Sequence, residues 1–95
     1  MRRRPRTDAN QPSIVKALRS LGCSVESLAA NGSGVPDLLV AHQSRLYLME
    51  VKDGKKPPSE RQLTPDQYKW HKAWQGPVYV VTSVEDAIKV ILERR

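Results

Sequence analysis

Two strand-like runs, residues 36–41 (PDLLVA) and 45–52 (RLYLMEVK), are separated only by the polar tip His42-Gln43-Ser44. So short a connection folds the second run back on the first as an antiparallel hairpin. With Gln43-Ser44 as a two-residue turn, Asp37 stands directly across from Glu50, their Cβ atoms about 4.5–5.5 Å apart. Side chains alternate along a strand, so Lys52 points the same way as Glu50, one pleat further on. Two adjacent carboxylates repel unless a cation lies between them, and here a lysine stands beside the pair. That arrangement suits a hydrolytic site built on a divalent metal. A slip of one residue would put the two acids on opposite faces, so the inference rests on register. The competing reading is a structural ion-pair network in which Lys52 neutralises one acid. A lesser alternative is that Lys52 is an edge-strand lysine that discourages aggregation.

Both faces of the hairpin are apolar: Leu39 with Leu48 on one, Leu38 and Val40 with Tyr47 and Met49 on the other. A strand pair of this kind belongs in the middle of a covered sheet. The acids then lie at the end of a buried hairpin and not on an open, solvated face.

The flanking chain supplies the covers. Residues 1–7 read as a flexible basic arm and residues 8–95 as a single domain. A first helix is expected over 8–21, with Gln11, Ile14, Leu18 and Leu21 on its inward stripe and Pro12 in its first turn. Residues 24–29 read as a strand, and Asn31-Gly32-Ser33-Gly34 as a turn. After the polar loop 53–61, Thr64 opens a second helix, with Pro65 at its first position and Gln67 completing a capping box. That helix runs to about Trp74; Trp70 and Trp74 share a face that suits core or dimer packing better than base stacking. Residues 78–81 form a short strand. Ser83 caps a last helix whose Val84, Ala87, Ile88, Ile91 and Leu92 make one apolar stripe. The order is αβββαβα, an α/β fold with a mixed sheet centred on the hairpin.

Charge narrows the partners. The formal net charge is +6 over 95 residues. Arg2, Arg3, Arg4 and Arg6 crowd the start, Lys55 and Lys56 follow the hairpin, and Arg94-Arg95 close the chain. Such clusters attract phosphate backbones with little sequence preference, although the arginine run could also be a solubilising tail. The lone Cys23 excludes an internal disulfide and lacks the neighbours for a zinc site. With no secretory leader and no membrane-spanning run, a cytoplasmic protein is expected. No membrane partner and no small-molecule cofactor are expected.

The residues quoted also carry a family likeness. Pro36-Asp37, then Glu50-Val51-Lys52, resembles the PD-(D/E)XK signature of the restriction-endonuclease-like nucleases. GSGVPDLLV, YLMEVKDGKKP, LTPDQYKWHKAW and PVYVVTSVEDAI, in that order, resemble the small stand-alone VRR-NUC branch, and the likeness runs from about residue 11 to residue 92. It implies a restriction-endonuclease-like core, Mg²⁺- or Mn²⁺-dependent hydrolysis of DNA by an activated water, and a bacterial or phage-infected cell. Asp37, Glu50 and the Val51 carbonyl would be the metal ligands, and Lys52 would orient the water or stabilise developing charge. Members commonly place a glutamate on the first helix to hold a metal-bound water. Here that position is Gln11, with Asp8 and Asn10 as nearby substitutes; Gln11 could instead form a capping box with Asp8. Gln67 would contact the water or a phosphate if it does not serve only as a cap. Ser33 and Gly34 could admit a phosphate to their backbone N–H groups, or could simply form a turn. His42 and His71 have no partner in the sequence and receive no role.

The expected function is thus a metal-dependent endonuclease, selective for branched DNA such as a four-way junction and acting as a homodimer. Two strands require two sites, and the chain has no room for a base-reading module. The alternatives are a non-catalytic nucleic-acid-binding module with this fold, a nuclease acting on RNA, and a subunit targeted by a partner.

Overall fold

The hairpin forms in the register that the acid pair requires. The computed structural model describes residues 7–93, so Arg2, Arg3, Arg4, Arg6, Arg94 and Arg95 lie outside it. In chain order the elements are helix α1 (Gln11–Ser20), strands β1 (Ser24–Ser27), β2 (Leu38–His42) and β3 (Arg45–Val51), helix α2 (Pro65–Ala73), strand β4 (Val78–Val81) and helix α3 (Val84–Glu93). Strands β2 and β3 pair antiparallel from Leu38 opposite Met49 to His42 opposite Arg45. One step further, Asp37 faces Glu50. Gln43 and Ser44 form the turn with φ of 48° and 67°. Positive φ at both central residues gives the turn a twist that matches right-twisted strands, even without glycine or asparagine.

The sheet order is β1-β2-β3-β4. Its first three strands are antiparallel, and β4 joins β3 in parallel. This is the mixed, helix-flanked sheet expected from the sequence. Alternation along the strands sends Leu38, Val40, Tyr47, Met49, Val51 and Val81 to one face, where they meet Ile14 and Leu18 of α1 and Ala87 and Ile91 of α3. Each large apolar side chain removed from water here contributes about 1.5–3 kcal/mol before its entropy cost. No helix among the described residues is long and apolar enough to cross a membrane.

The other face departs from expectation. Leu39 and Leu48 are only half-buried, and Leu46 is 70% exposed. Helix α2 lies on this side, but it spans 9 residues with none buried, too little to close the face. Trp70 and Trp74 stack on each other with ring centroids 4.8 Å apart and wall an apolar groove with Leu39, Leu46 and Leu48. The tryptophans are therefore half-exposed packing residues and not core.

Several boundaries also differ. Helix α1 begins at Gln11 and not at Asp8; Asn10 stands at the cap position without a side-chain capping bond. Pro12 still lies in the first turn, where its missing N–H costs nothing. Strand β1 ends at Ser27, and residues 29–31 turn as a 3₁₀ segment. Leu92 is 44% exposed, so the inward stripe of α3 centres on Ala87 and Ile91.

Candidate active site

Asp37 and Glu50 enter the site from the ends of adjacent central strands, and the backbone between them ties them together. Val51 N–H donates to Asp37 Oδ2 at 2.7 Å. The Val51 side chain is buried in the core, so this residue gives its side chain to the fold and its backbone to the site. Glu50, from the face opposite the core, is 1% exposed. Burial first, then a hydrogen bond and the charge of Asp37, push its carboxyl up to about 9, against the opposing pull of Lys52. Without a cation, the buried pair therefore holds a proton at neutral pH.

Lys52 is 8% exposed, one residue beyond β3 and flanked by β4 through its N–H bond to Val81 O at 2.9 Å. This is not an edge lysine held in solvent. Its Nζ donates to Gln67 Oε1 at 2.7 Å. The same Gln67 oxygen accepts Thr64 N–H at 2.9 Å, while Gln67 N–H donates to Thr64 Oγ1 at 3.2 Å. Gln67 Nε2 in turn donates to Glu50 Oε2 at 3.2 Å. The two readings of Gln67 are thus compatible: its amide closes the capping box of α2 and bridges Lys52 to Glu50.

His71, assigned no role from sequence, lies one helical turn beyond Gln67 on the same face. Its Nε2 is 3.3 Å from Glu50 Oε1, with the histidine side chain 13% exposed. Desolvation, and next the charge of Lys52, lower its pKa from the usual histidine value, which favours the neutral ring. The signal that could have found it is the four-residue step from Gln67.

The cleft in front of the acids is lined by Asp8, Asp37, Glu50, Lys52, Lys56 and Gln67, with Thr7 at its border. Asp8 is paired with Lys56 at 3.6 Å. Gln11 does not line this cleft. It is 7% exposed, and its Oε1 is buried with no hydrogen-bond partner among the described residues. The capping box with Asp8 is not formed either: Gln11 N–H bonds to Asp8 O, a backbone contact. Asn10 is occupied elsewhere, its Nδ2 donating at 3.1 Å to both Lys52 O and Thr82 O. It ties the start of α1 to the ends of β3 and β4.

Gly32, Ser33 and Gly34 all have positive φ. At Gly34 the reason is a close approach: a Cβ there would lie 2.2 Å from Asp66 O and 2.7 Å from Gln67 N. This loop presses on the first turn of α2 and sets the position of Gln67. Ser33 is exposed, and Lys55 and Lys56 extend into solvent beyond β3.

The donor set fits a hard divalent cation that keeps waters. Among the described residues no group of three or more His, Cys, Asp or Glu gathers as a cage, but Mg²⁺ is ordinarily held by one or two carboxylates, with water and phosphate completing its shell. Each carboxylate oxygen has two lone pairs. Gln67 takes one on Glu50 Oε2, and the Val51 N–H bond uses Asp37 Oδ2 and not Oδ1.

No family model matches the chain, and no curated protein is similar to it. A solved structure described as a VRR_NUC domain superposes with a TM-score of 0.66 at 26% identity, covering 93% of this chain and 100% of that one.

Proposed function

We propose that this chain, whose fold is similar to that of a VRR_NUC domain, is a metal-dependent endonuclease that hydrolyses DNA phosphodiester bonds. The observation that carries the reading is the pairing of Asp37 with a buried Glu50 at the end of a central hairpin, with Lys52 beside them. Asp37, Glu50 and the Val51 carbonyl would hold the cation. Bound Mg²⁺ or Mn²⁺ supplies Lewis acidity: it lowers the pKa of a water and offsets charge on the phosphate.

The other residues orient and neutralise. Lys52, fixed by Gln67, would meet the attacking water or the charge that develops on the phosphate. Asp8 lines the cleft where Gln11 does not, and it would take the water-holding role. Lys55, Lys56, Arg2, Arg3, Arg4 and Arg6 would follow the backbone, with the Ser33-Gly34 loop at the border of Asp37. A symmetric pair of chains offers two sites for two strands, and recognition by shape favours branched DNA.

The test incubates purified protein with labelled four-way junction, linear duplex, single strand and RNA. Each is run with EDTA, Mg²⁺ and Mn²⁺, beside Asp37→Ala. Paired, metal-dependent cuts confined to the junction support the reading in full. Equal cutting of linear duplex removes the junction selectivity. Binding without cleavage in every condition replaces the enzyme with a binding module. Sedimentation of the free protein tests the dimer.

A further inference from the structure

A buried carboxylate needs a donor for each oxygen, and one helix places a nitrogen beside each oxygen of Glu50. Gln67 Nε2 reaches Oε2 at 3.2 Å, and His71 Nε2 lies 3.3 Å from Oε1. The two residues are four apart, so one face of α2 grips both ends of the carboxylate. The Trp70 ring meets the His71 ring edge-on at 6.3 Å, which limits the tilt of the imidazole.

We propose that His71 is a positioning residue for metal binding: its Nε2–H holds Glu50 in the rotamer that presents the carboxylate to the cation. This rests on the metal-site reading above. His71 is not itself a ligand, because the nitrogen nearest the site is engaged by the carboxylate. It acts through Glu50, as a hydrogen-bonded neighbour of a ligating group does elsewhere. Loss of such a neighbour ordinarily weakens metal binding by about 10–100-fold. Gln67 reaches the other oxygen, Oε2, while its carbonyl accepts Lys52, so His71 is the side chain beside Oε1.

The experiment measures Mn²⁺ binding to the full chain without DNA, from the free-Mn²⁺ paramagnetic resonance signal, with melting temperatures taken alongside. His71→Ala and His71→Leu remove the donor, the second keeping bulk. His71→Gln keeps a neutral N–H at similar reach. The expected result is binding about 10–100-fold weaker for Ala and Leu, largely restored in Gln. Wild-type affinity in either donor-free variant overturns the inference. So does a Gln variant that binds as weakly as a folded Ala or Leu variant. If Asp37→Ala abolishes binding while the donor-free variants keep it, the metal-site reading stands and the role of His71 falls. A wild-type chain with no Asp37-dependent Mn²⁺ site overturns both.

Discussion

Lys52 Nζ rests on Gln67 Oε1 at 2.7 Å, so the amide that begins helix α2 also holds the lysine of the cleft. Truncating Gln67 should therefore register in two independent measurements. Gln67→Ala is expected to cost about 1 kcal/mol through the lost cap and to lower cleavage by about 10–100-fold through misplaced Lys52 and Glu50. Thr64→Ala separates the effects, with a similar loss of stability and most of the cleavage retained. Chemical denaturation and single-turnover cleavage on the same samples check both. Equal activity loss in the two variants would mean that Gln67 acts only through the helix.

The buried Glu50 sets the pH dependence of the metal-free protein. Its folded carboxyl, pushed up to about 9, lies above its ordinary value near 4.5. A raised pKa gives stability that is fully present below the unfolded value and is lost as pH rises toward the folded one. Metal-free protein should melt progressively lower from about pH 5 to pH 9. Glu50→Gln, which cannot ionise, should flatten that fall and melt above wild type at pH 9. Asp86 runs in the opposite sense. Hydrogen bonds from the Thr82 hydroxyl and backbone lower its pKa, so its contribution holds above the ordinary carboxylate range and fades as pH falls through it. Thermal scans in EDTA from about pH 2 to pH 10, for wild type, Glu50→Gln and Asp86→Asn, test the signs.

Metal should substitute for the proton that the acid pair holds. Mn²⁺ at a hundred times its dissociation constant is expected to stabilise the folded chain by about 2.7 kcal/mol, with the gain growing toward alkaline pH. EDTA should reverse it, and Asp37→Ala should abolish it. A stabilisation that persists in Asp37→Ala would place the bound metal elsewhere.

Gly34 allows no side chain. At φ of 83° and with Asp66 O 2.2 Å from the position of a Cβ, Gly34→Ala meets both a backbone penalty of about 1–2 kcal/mol and a clash with the first turn of α2. The expected loss is about 2 kcal/mol or more, accompanied by reduced cleavage, because Gln67 must move with the turn. Gly22→Ala is the control. It shares a positive φ of 98° but has no atom within 4 Å, so it should lose stability alone. Urea titration and cleavage rates distinguish the two.

The register of the hairpin was legible because strand alternation and the tip length leave few ways to join residues 36–41 to 45–52. Asp37 opposite Glu50 follows from that arithmetic. The start of α1 was not legible. Asp8 and Asn10 are both good caps, and only the bonds from Asn10 to Lys52 O and Thr82 O decide between them, contacts 42 and 72 residues away in sequence. The same ambiguity hid which N-terminal side chain faces the cleft. His71 escaped because its partner is on a strand 21 residues earlier. The half-open second face escaped because periodicity shows that Leu39, Leu46 and Leu48 share a face, but not how much of it a 9-residue helix can cover.

The stacked pair on that helix has a practical consequence. Trp70 and Trp74 are the chain's only tryptophans; Trp70 is on the helix that grips Glu50 and Trp74 is its C-cap residue. Tryptophan fluorescence, excited selectively over the three tyrosines, therefore samples a single region, the groove beside this helix. A shift of α2 of a few tenths of an ångström as the acid pair exchanges its proton for a cation would alter ring overlap and quenching. The protein carries its own optical gauge of the site and needs no attached dye.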